Sequence, residues 1–332
     1  MRFFSLLLVL LICIFSACSN EDTTPPVGSV EEVTLGVSAA DYSIFLTLVL
    51  LAKEKGLFEA QGLNVTIQPY PHGAASLRAL MEGQVDLAIG AEFPFVKQHL
   101  EGSPSRIIAS IAQVDVLQLL ARRDSGISQT SDLRGKRIAF IKGTQLEFCL
   151  HKFLASHGVA MTDIQSFHRL PPELAPAILQ REVDAVVYRE PMISNVKAQL
   201  QDNWIGWQLQ DTQRVFWLLA GHKDHFRQRP EVVKRLLRAL LEAESYYTEN
   251  ASKVFELITT RSKIRADVLE RMLSGVAYRV SLDQELVIAM EDETRWHMDN
   301  RYTDVKEMPN YLEVIEFRGL DAVRPDRVGI IH

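Results

Sequence analysis

Two carboxylates occupy equivalent places in the chain, in surroundings suited to holding a small polar molecule. Glu92 stands near the end of GQVDLAIGAEFPF (Gly83–Phe95), and Glu190 near the end of REVDAVVYREP (Arg181–Pro191). Each segment starts an apolar run on Val-Asp and closes on Glu, with Pro one or two residues later. Setting Val85 on Val183, 98 residues apart, also brings Asp86 onto Asp184 and Glu92 onto Glu190. A carboxylate lining a dry pocket wants a cation or hydrogen-bond donors. Arg189 is the counter-charge for either one, so a closing latch between Arg189 and Glu92 competes with direct ligand contact by Glu92 and Glu190. Phe93 and Tyr188 beside them offer apolar or stacking walls.

Two glycine turns pull the other way. His72-Gly73-Ala74 and Gly143-Thr144-Gln145 each place bare backbone N–H groups at the start of a helix, an arrangement that attracts a carboxylate or sulfonate. A plain tight turn needs the same glycines. Ser38, Asp41 and Tyr42 follow the first strand, where Asp41 serves equally as a contact or as the N-cap of the next helix. The set points to a small organic ligand with polar and planar or apolar parts, rather than a bare inorganic ion. Catalytic and metal patterns are absent: no His-Glu-x-x-His, no paired-cysteine zinc spacing, no Gly-x-Ser-x-Gly and no phosphate loop with Lys, so no metal or cofactor is expected. His222 and His225 read as loop polarity, and Cys149, between Phe148 and Leu150 on a helix, as a buried inert thiol.

The elements that must position these residues follow from periodicity. A strand at 33–38, a helix at about 42–55 that is apolar almost all round and closed by Gly56, a strand at 63–70 and a short helix lead to the strand before Glu92. A helix near 95–101 and a strand at 106–113 follow. The same order restarts after Asp132, with a strand and loop at 136–144 and strands at 164–170 and 183–191, separated by helices. From Val215 one more strand gives way to a helical remainder, with Pro230 opening a long helix. Alternating strands and helices imply an α/β fold of mostly parallel sheets covered by helices, with ligands bound outside the carboxyl ends of the strands. The candidate residues all come from loops after strands.

Composition sets the frame. At 332 residues and 47% hydrophobic content the chain can fill two cores. A formal charge of −6, with no basic stripe among aromatics, excludes nucleic acid as a partner. Met1-Arg2 and the apolar run Phe3–Phe15 are too short to span a bilayer and suit a secretory signal over residues 1–17. Phe15-Ser16-Ala17-Cys18 resembles a bacterial lipobox, apart from Phe where Leu is usual. Cys18 is therefore expected to be lipidated and to tether the chain to a membrane, the alternative being plain cleavage after Ala17. Residues 18–32 read as a linker. With Cys13 in the signal and Cys18 lipidated, Cys149 has no partner for an internal disulfide.

The segments AKEKGLFEAQGLNVTI, LRALMEGQVDLAI, DLRGKRIAFIKGT, AILQREVDAVVYREP and FRQRPEVVKRLLRALLEAESYYTEN, in that order and spacing, resemble the periplasmic binding proteins of nitrate, sulfonate, taurine and thiamine-precursor ABC importers. The resemblance covers about residues 33–316. It implies a two-lobed fold with the ligand cleft between lobes, residues 33–114 and 215–332 forming lobe 1 and residues 115–214 lobe 2. Hinges are expected near Val114–Gln118 and Arg214–Leu218, closing on the ligand. It further implies an extracytoplasmic, monomeric solute-binding lipoprotein that delivers a small molecule to an ABC permease driven by a cytoplasmic ATPase. Two rival expectations are an enzyme resembling thiamine-pyrimidine synthases, whose cysteine-rich iron motif is missing here, and a solute sensor for a membrane signalling partner.

Overall fold

The computed structural model describes residues 30–39, 44–210, 213–262 and 264–331. The signal segment, Cys18, the linker up to residue 29, Asp41 and Tyr42 lie outside the described residues. The chain runs β1 (Glu31–Ser38), α1 (Thr47–Glu54), α2 (Leu57–Ala60), β2 (Leu63–Tyr70), α3 (Gly73–Met81), β3 (Leu87–Ala91), α4 (Glu92–Leu100) and β4 (Ser105–Val114). It then crosses into β5 (Gln118–Arg122), β6 (Arg137–Phe140), α5 (Gln145–Ser156), β7 (Gln165–His168), α6 (Pro171–Leu179), β8 (Ala185–Tyr188), α7 (Met192–Leu200) and β9 (Trp204–Gln208). It returns through β10 (Val215–His222), α8 (Lys223–Gln228), α9 (Pro230–Glu249), α10 (Ala251–Ser262), α11 (Ala266–Ser274), β11 (Val276–Ser281), α12 (Gln284–Asp299) and α13 (Phe317–Val323).

Two sheets result, one ordered β11-β4-β10-β3-β1-β2 and the other β7-β6-β8-β5-β9. Both are mixed, which corrects the expectation of mostly parallel sheets. Parallel pairing holds for β1 with β2 and β3, and for β6 with β7 and β8. The strands flanking the crossings, β4, β5, β9 and β10, pair antiparallel because the chain enters and leaves each lobe there. β9 and β11 fall where no strand was expected, β5 runs on beyond the expected hinge at Val114–Gln118, and β1 starts two residues inside the expected linker.

The doubled Val-Asp performs one structural task twice. Asp86, just before β3, accepts the Thr34 backbone N–H at 2.7 Å and its hydroxyl at 2.8 Å, tying β3 to β1. Asp184, just before β8, accepts the Arg137 backbone N–H at 2.9 Å and its guanidinium at 2.8 Å, tying β8 to β6. The mainly apolar α1 buries Leu48, Val49, Leu51 and Ala52, and Gly56 follows its end with φ +66°. Opposite it, α9 starts on Pro230 and buries Val233, Leu236, Leu237 and Leu240, each such side chain contributing about 1.5–3 kcal/mol. Gly90 lets α3 lie close on β3, since a Cβ there would meet Leu77 Cδ1 at 2.7 Å.

The chain passes between the sheets at 115–117 and again at 209–214. The second crossing thus precedes the expected Arg214–Leu218, because Val215 onward is already laddered to β4. Buried Gln210 clasps the two crossings together: its Oε1 accepts the N–H groups of Val116 at 2.8 Å and Leu117 at 2.9 Å, and its Nε2 donates to the Val114 carbonyl at 2.9 Å.

Candidate functional site

The C-terminal edges of the parallel strands in both lobes converge on a cavity of about 160 Å³. Lobe 1 contributes Phe45, Val215 and Trp217, the first crossing Val116 and Leu117, and lobe 2 Thr144, Gln145, Tyr188 and Arg189. Phe45 lies on Trp217 with ring centroids 4.5 Å apart. The Arg189 guanidinium sits over the Phe45 ring at 5.4 Å and over Tyr188 at 5.8 Å, a cation–π arrangement that holds a positive charge beside aromatic walls. Arg189 is the sole charged side chain among the described lining residues.

Three buried polar atoms at this same edge of lobe 1 have no hydrogen-bond partner among the described residues. They are Ser38 Oγ at the end of β1, Tyr70 Oη opposite it at the end of β2, and Trp217 Nε1 opposite Ala91 at the end of β3. Buried polar groups are rarely left unsatisfied in a finished structure, and of the three residues Trp217 lines the cavity.

Of the expected site residues, Thr144, Gln145, Tyr188 and Arg189 line the cavity. Glu190 belongs to a narrower adjoining space that also touches Phe45 and Arg271. Its carboxylate accepts the Ser194 backbone N–H at 2.9 Å and the Ser194 hydroxyl at 2.8 Å, holding the first turn of α7. Arg271, from α11 in the other lobe, lies 3.8 Å from Glu190 Oε1 and donates to Ser194 Oγ at 2.9 Å. Glu190 is therefore a cross-lobe tie.

Other expectations are corrected. Glu92 is fully buried as the first residue of α4, behind the cavity wall. Its Oε1 accepts from Gln145 Nε2 at 3.1 Å and its Oε2 from the Phe216 N–H at 3.0 Å, so the latch partner is Gln145 and not Arg189. Phe93 is buried among Phe148, Trp296 and His297, with centroids 5.8, 5.7 and 4.7 Å away, and forms no part of the cavity wall. The Gly143 N–H, expected to face an anion, instead donates to Glu147 Oε2 at 2.6 Å, an oxygen that also accepts the Tyr302 hydroxyl at 3.0 Å. Glu147 supplies the anion internally. His72 is the N-cap of α3, its Nδ1 accepting the Ala75 N–H at 3.2 Å. Gly73 packs against β3, and the Ala74 carbonyl accepts from Gln98 at 3.0 Å. None of these three lines the cavity.

Burial governs the ionisation behind the wall. Loss of water pushes the Glu92 carboxyl up to about 8, against the hydrogen bonds it accepts. Glu293 of α12, also fully buried, is held well above the carboxylate range by burial and then by the charge of Glu92, which acts on it without a hydrogen bond of ordinary geometry. Burial likewise pushes up the Cys149 thiol and lowers His297 to about 4. Phe45 and Trp217 in the cavity wall, and Arg271 in the adjoining space, were not anticipated. Trp217 carried a signal, an aromatic in the strand directly after the second crossing, whereas nothing local marks Phe45 or Arg271.

Comparison with known proteins finds similar chains, several of them named as binding proteins. A family model described as NMT1/THI5 like matches residues 45–253. A Bacillus subtilis (strain 168) protein named for aliphatic sulfonate binding is 22% identical over 295 residues, 87% of each chain. The crystal structure of the periplasmic aliphatic sulphonate binding protein SsuA from Escherichia coli superposes with a TM-score of 0.72 at 20% identity, over 86% of this chain and 98% of that one. The 4-amino-5-hydroxymethyl-2-methylpyrimidine phosphate synthase of Schizosaccharomyces pombe is 26% identical over 145 residues, 43% of this chain and 41% of the enzyme. The fold is thus that of the two-lobed periplasmic binding proteins.

Proposed function

The chain belongs to the NMT1/THI5-like family, and from that premise we propose that it is an extracytoplasmic solute-binding protein of an ABC import system. Its ligand in this reading is a small organic anion with an apolar body, of the alkanesulfonate class, bound between the lobes. The observation that carries the reading is the cavity itself: aromatic and aliphatic walls, one positive side chain and, in Trp217 Nε1, a buried donor with no partner among the described residues. Acceptor oxygens of a sulfonate or carboxylate suit Trp217 Nε1 and Arg189, while the alkyl part suits Phe45, Val215 and Tyr188. At about 160 Å³ the cavity lies below the roughly 300–1,000 Å³ of drug-sized sites, in keeping with a few-carbon ligand.

Delivery to a permease with a cytoplasmic ATPase follows from the binding-protein role, and tethering through Cys18 from the lipobox-like sequence. No helix among the described residues is long and apolar enough to cross a membrane. The enzyme reading has less support, since the described cavity walls carry no Cys, His or Lys, and the buried Cys149 is held protonated. A thermal-shift screen of butanesulfonate, taurine, inorganic sulfate and butylamine tests the assignment. A ligand at a hundred times its Kd adds about 2.7 kcal/mol, so the sulfonates should raise the melting temperature and butylamine should not. Stabilisation by butylamine alone contradicts it.

A further inference from the structure

The lobes are tied together on both faces of the lobe 2 sheet, and the two ties differ in kind. Leu150 and Phe153 of α5 share a core with Leu119, Phe140 and Val187, whereas Ile193 and Val196 of α7 share another with Leu120, Ala139 and Val186. Successive residues of a strand point to opposite faces, so α5 and α7 cover opposite sides of that sheet. On the α5 side the tie is a dry aromatic seam. Phe93 of α4 and Trp296 of α12, both from lobe 1, are buried in the lobe 2 core, and the Phe148 ring of α5 lies 5.8 and 5.9 Å from them. Trp296 Nε1 also donates to His151 Nδ1 at 2.7 Å, and the Tyr302 hydroxyl to Glu147 at 3.0 Å. On the α7 side the tie is polar and wet. Arg271 of α11, its side chain 50% exposed, donates to Ser194 Oγ at 2.9 Å and stands 3.8 Å from Glu190 Oε1. We propose that the cleft opens on the α7 side, lobe 2 turning about the aromatic seam and the two crossings, and that Arg271 is the latch that holds α7 to α11 around bound ligand.

Relative cost decides which side parts. Separating the seam would expose large rings that each bury roughly 150–250 Å², and would take the acceptor from the Trp296 N–H. Separating the latch exposes a guanidinium already half in water, and partly exposed ion pairs contribute little. Each latch group also keeps a partner in its own lobe. Glu190 still accepts the Ser194 N–H at 2.9 Å and hydroxyl at 2.8 Å, and Arg271 still donates to Asp267 Oδ2 at 3.2 Å, one turn away on α11. The latch therefore has two satisfied states, bonded across the lobes or within them. Its link to the ligand is spatial. Arg271 and Glu190 line a space of about 20 Å³, room for about one water molecule, which shares Phe45, Val116 and Arg189 with the cavity. Arg189 precedes Glu190 in lobe 2, and its guanidinium rests on Phe45 of lobe 1 at 5.4 Å. Holding Glu190 against α11 thus seats the cavity's positive charge on its aromatic wall. Arg271 lies outside the cavity lining and acts through these neighbours, as a positioning residue.

This proposal rests on the interlobe cavity being the ligand site, and its test separates the two. The full chain carries genetically encoded spin-label residues at exposed positions, replacing Ala198 and Glu270 across the latch, or Ala155 and Asp299 across the seam. Double electron–electron resonance reads both distances. Without ligand, Arg271→Gln should move the latch pair to longer distances than in wild type and leave the seam pair unchanged. Stopped-flow tryptophan fluorescence with butanesulfonate gives the rates. Arg271→Gln should speed dissociation about three- to tenfold, with association within about twofold of wild type, and Arg271→Lys should recover part of the loss. Asp267→Asn, which removes the partner on α11 and keeps the tie across the lobes, should leave dissociation within about twofold of wild type. An unchanged latch distance in Arg271→Gln, or a longer seam distance in its place, overturns the proposal. So does a lowered melting temperature with dissociation unchanged, the signature of a merely structural arginine. Absence of butanesulfonate binding by wild type contradicts the ligand assignment alone, and the ligand-free distances then decide the proposal by themselves.

Discussion

Phe93→Ala distinguishes a ligand wall from an interlobe core. The ring is 2% exposed and belongs to the core of lobe 2, although the chain supplies it from α4 of lobe 1. Its neighbours Phe148 on α5 and Trp296 and His297 on α12 come from both lobes, so the ring is a pin through the joint. Truncating a buried Phe costs about 3–5 kcal/mol through lost transfer energy and the cavity left behind. Two or three aromatic contacts of ~0.5–1.5 kcal/mol each are part of that sum. At roughly 2–4 °C per kcal/mol for a chain of this size class, the melting temperature should fall by about 6–20 °C. Circular dichroism melts give the shift, and because the pin joins the lobes, the variant should also broaden toward two transitions. Butanesulfonate affinity at a temperature where the variant is folded should change by less than about threefold, under ~0.7 kcal/mol. A variant that melts within 2 °C of wild type yet loses tenfold or more in affinity would show that the ring faces ligand, and would refute this packing argument.

Other expectations test separate parts of the structure. Gly90→Ala should destabilise by about 1–3 kcal/mol, read by urea denaturation, because the new methyl would lie 2.7 Å from Leu77 Cδ1 between α3 and β3; an unchanged midpoint contradicts the close approach. His297 is neutral in the folded chain, its pKa lowered to about 4 from an ordinary 6.5 by burial. Its contribution to stability is therefore fully present above 6.5 and is lost as pH falls through the folded value, the unfolded chain binding the extra proton. His297→Phe should make stability less steep between pH 6.5 and 4, and parallel pH curves for the two proteins would refute the assignment.

The sequence pattern revealed the architecture better than the site. The repeated Val-Asp marked a true structural repeat, since Asp86 and Asp184 each staple a strand to its parallel neighbour. Tyr188, Arg189, Thr144 and Gln145 were legible because loops after parallel strands face the cleft. Glu92 was misread for a physical reason: polarity at a strand end looks the same whether it meets ligand or a buried partner, and its donors Gln145 and Phe216 lie 53 and 124 residues away. Gly143 was misread because the anion its N–H attracts is Glu147, four residues on, which local spacing alone does not separate from an external ligand. The antiparallel strands β9 and β11 escaped notice because their half-buried, mixed sequences WIGWQ and VAYRVS lack the apolar run of a central strand.

The central claim is that the cavity between the lobes binds a small organic anion against Trp217 and Arg189. Calorimetric titration of wild type, Trp217→Phe and Arg189→Gln with butanesulfonate tests it most directly, butylamine serving as the cationic control. The account predicts saturable one-site binding of butanesulfonate by wild type, losses of at least about tenfold (~1.4 kcal/mol) in each variant, and no binding of butylamine. Equal affinity of all three proteins for butanesulfonate, or preference for the amine, would contradict it.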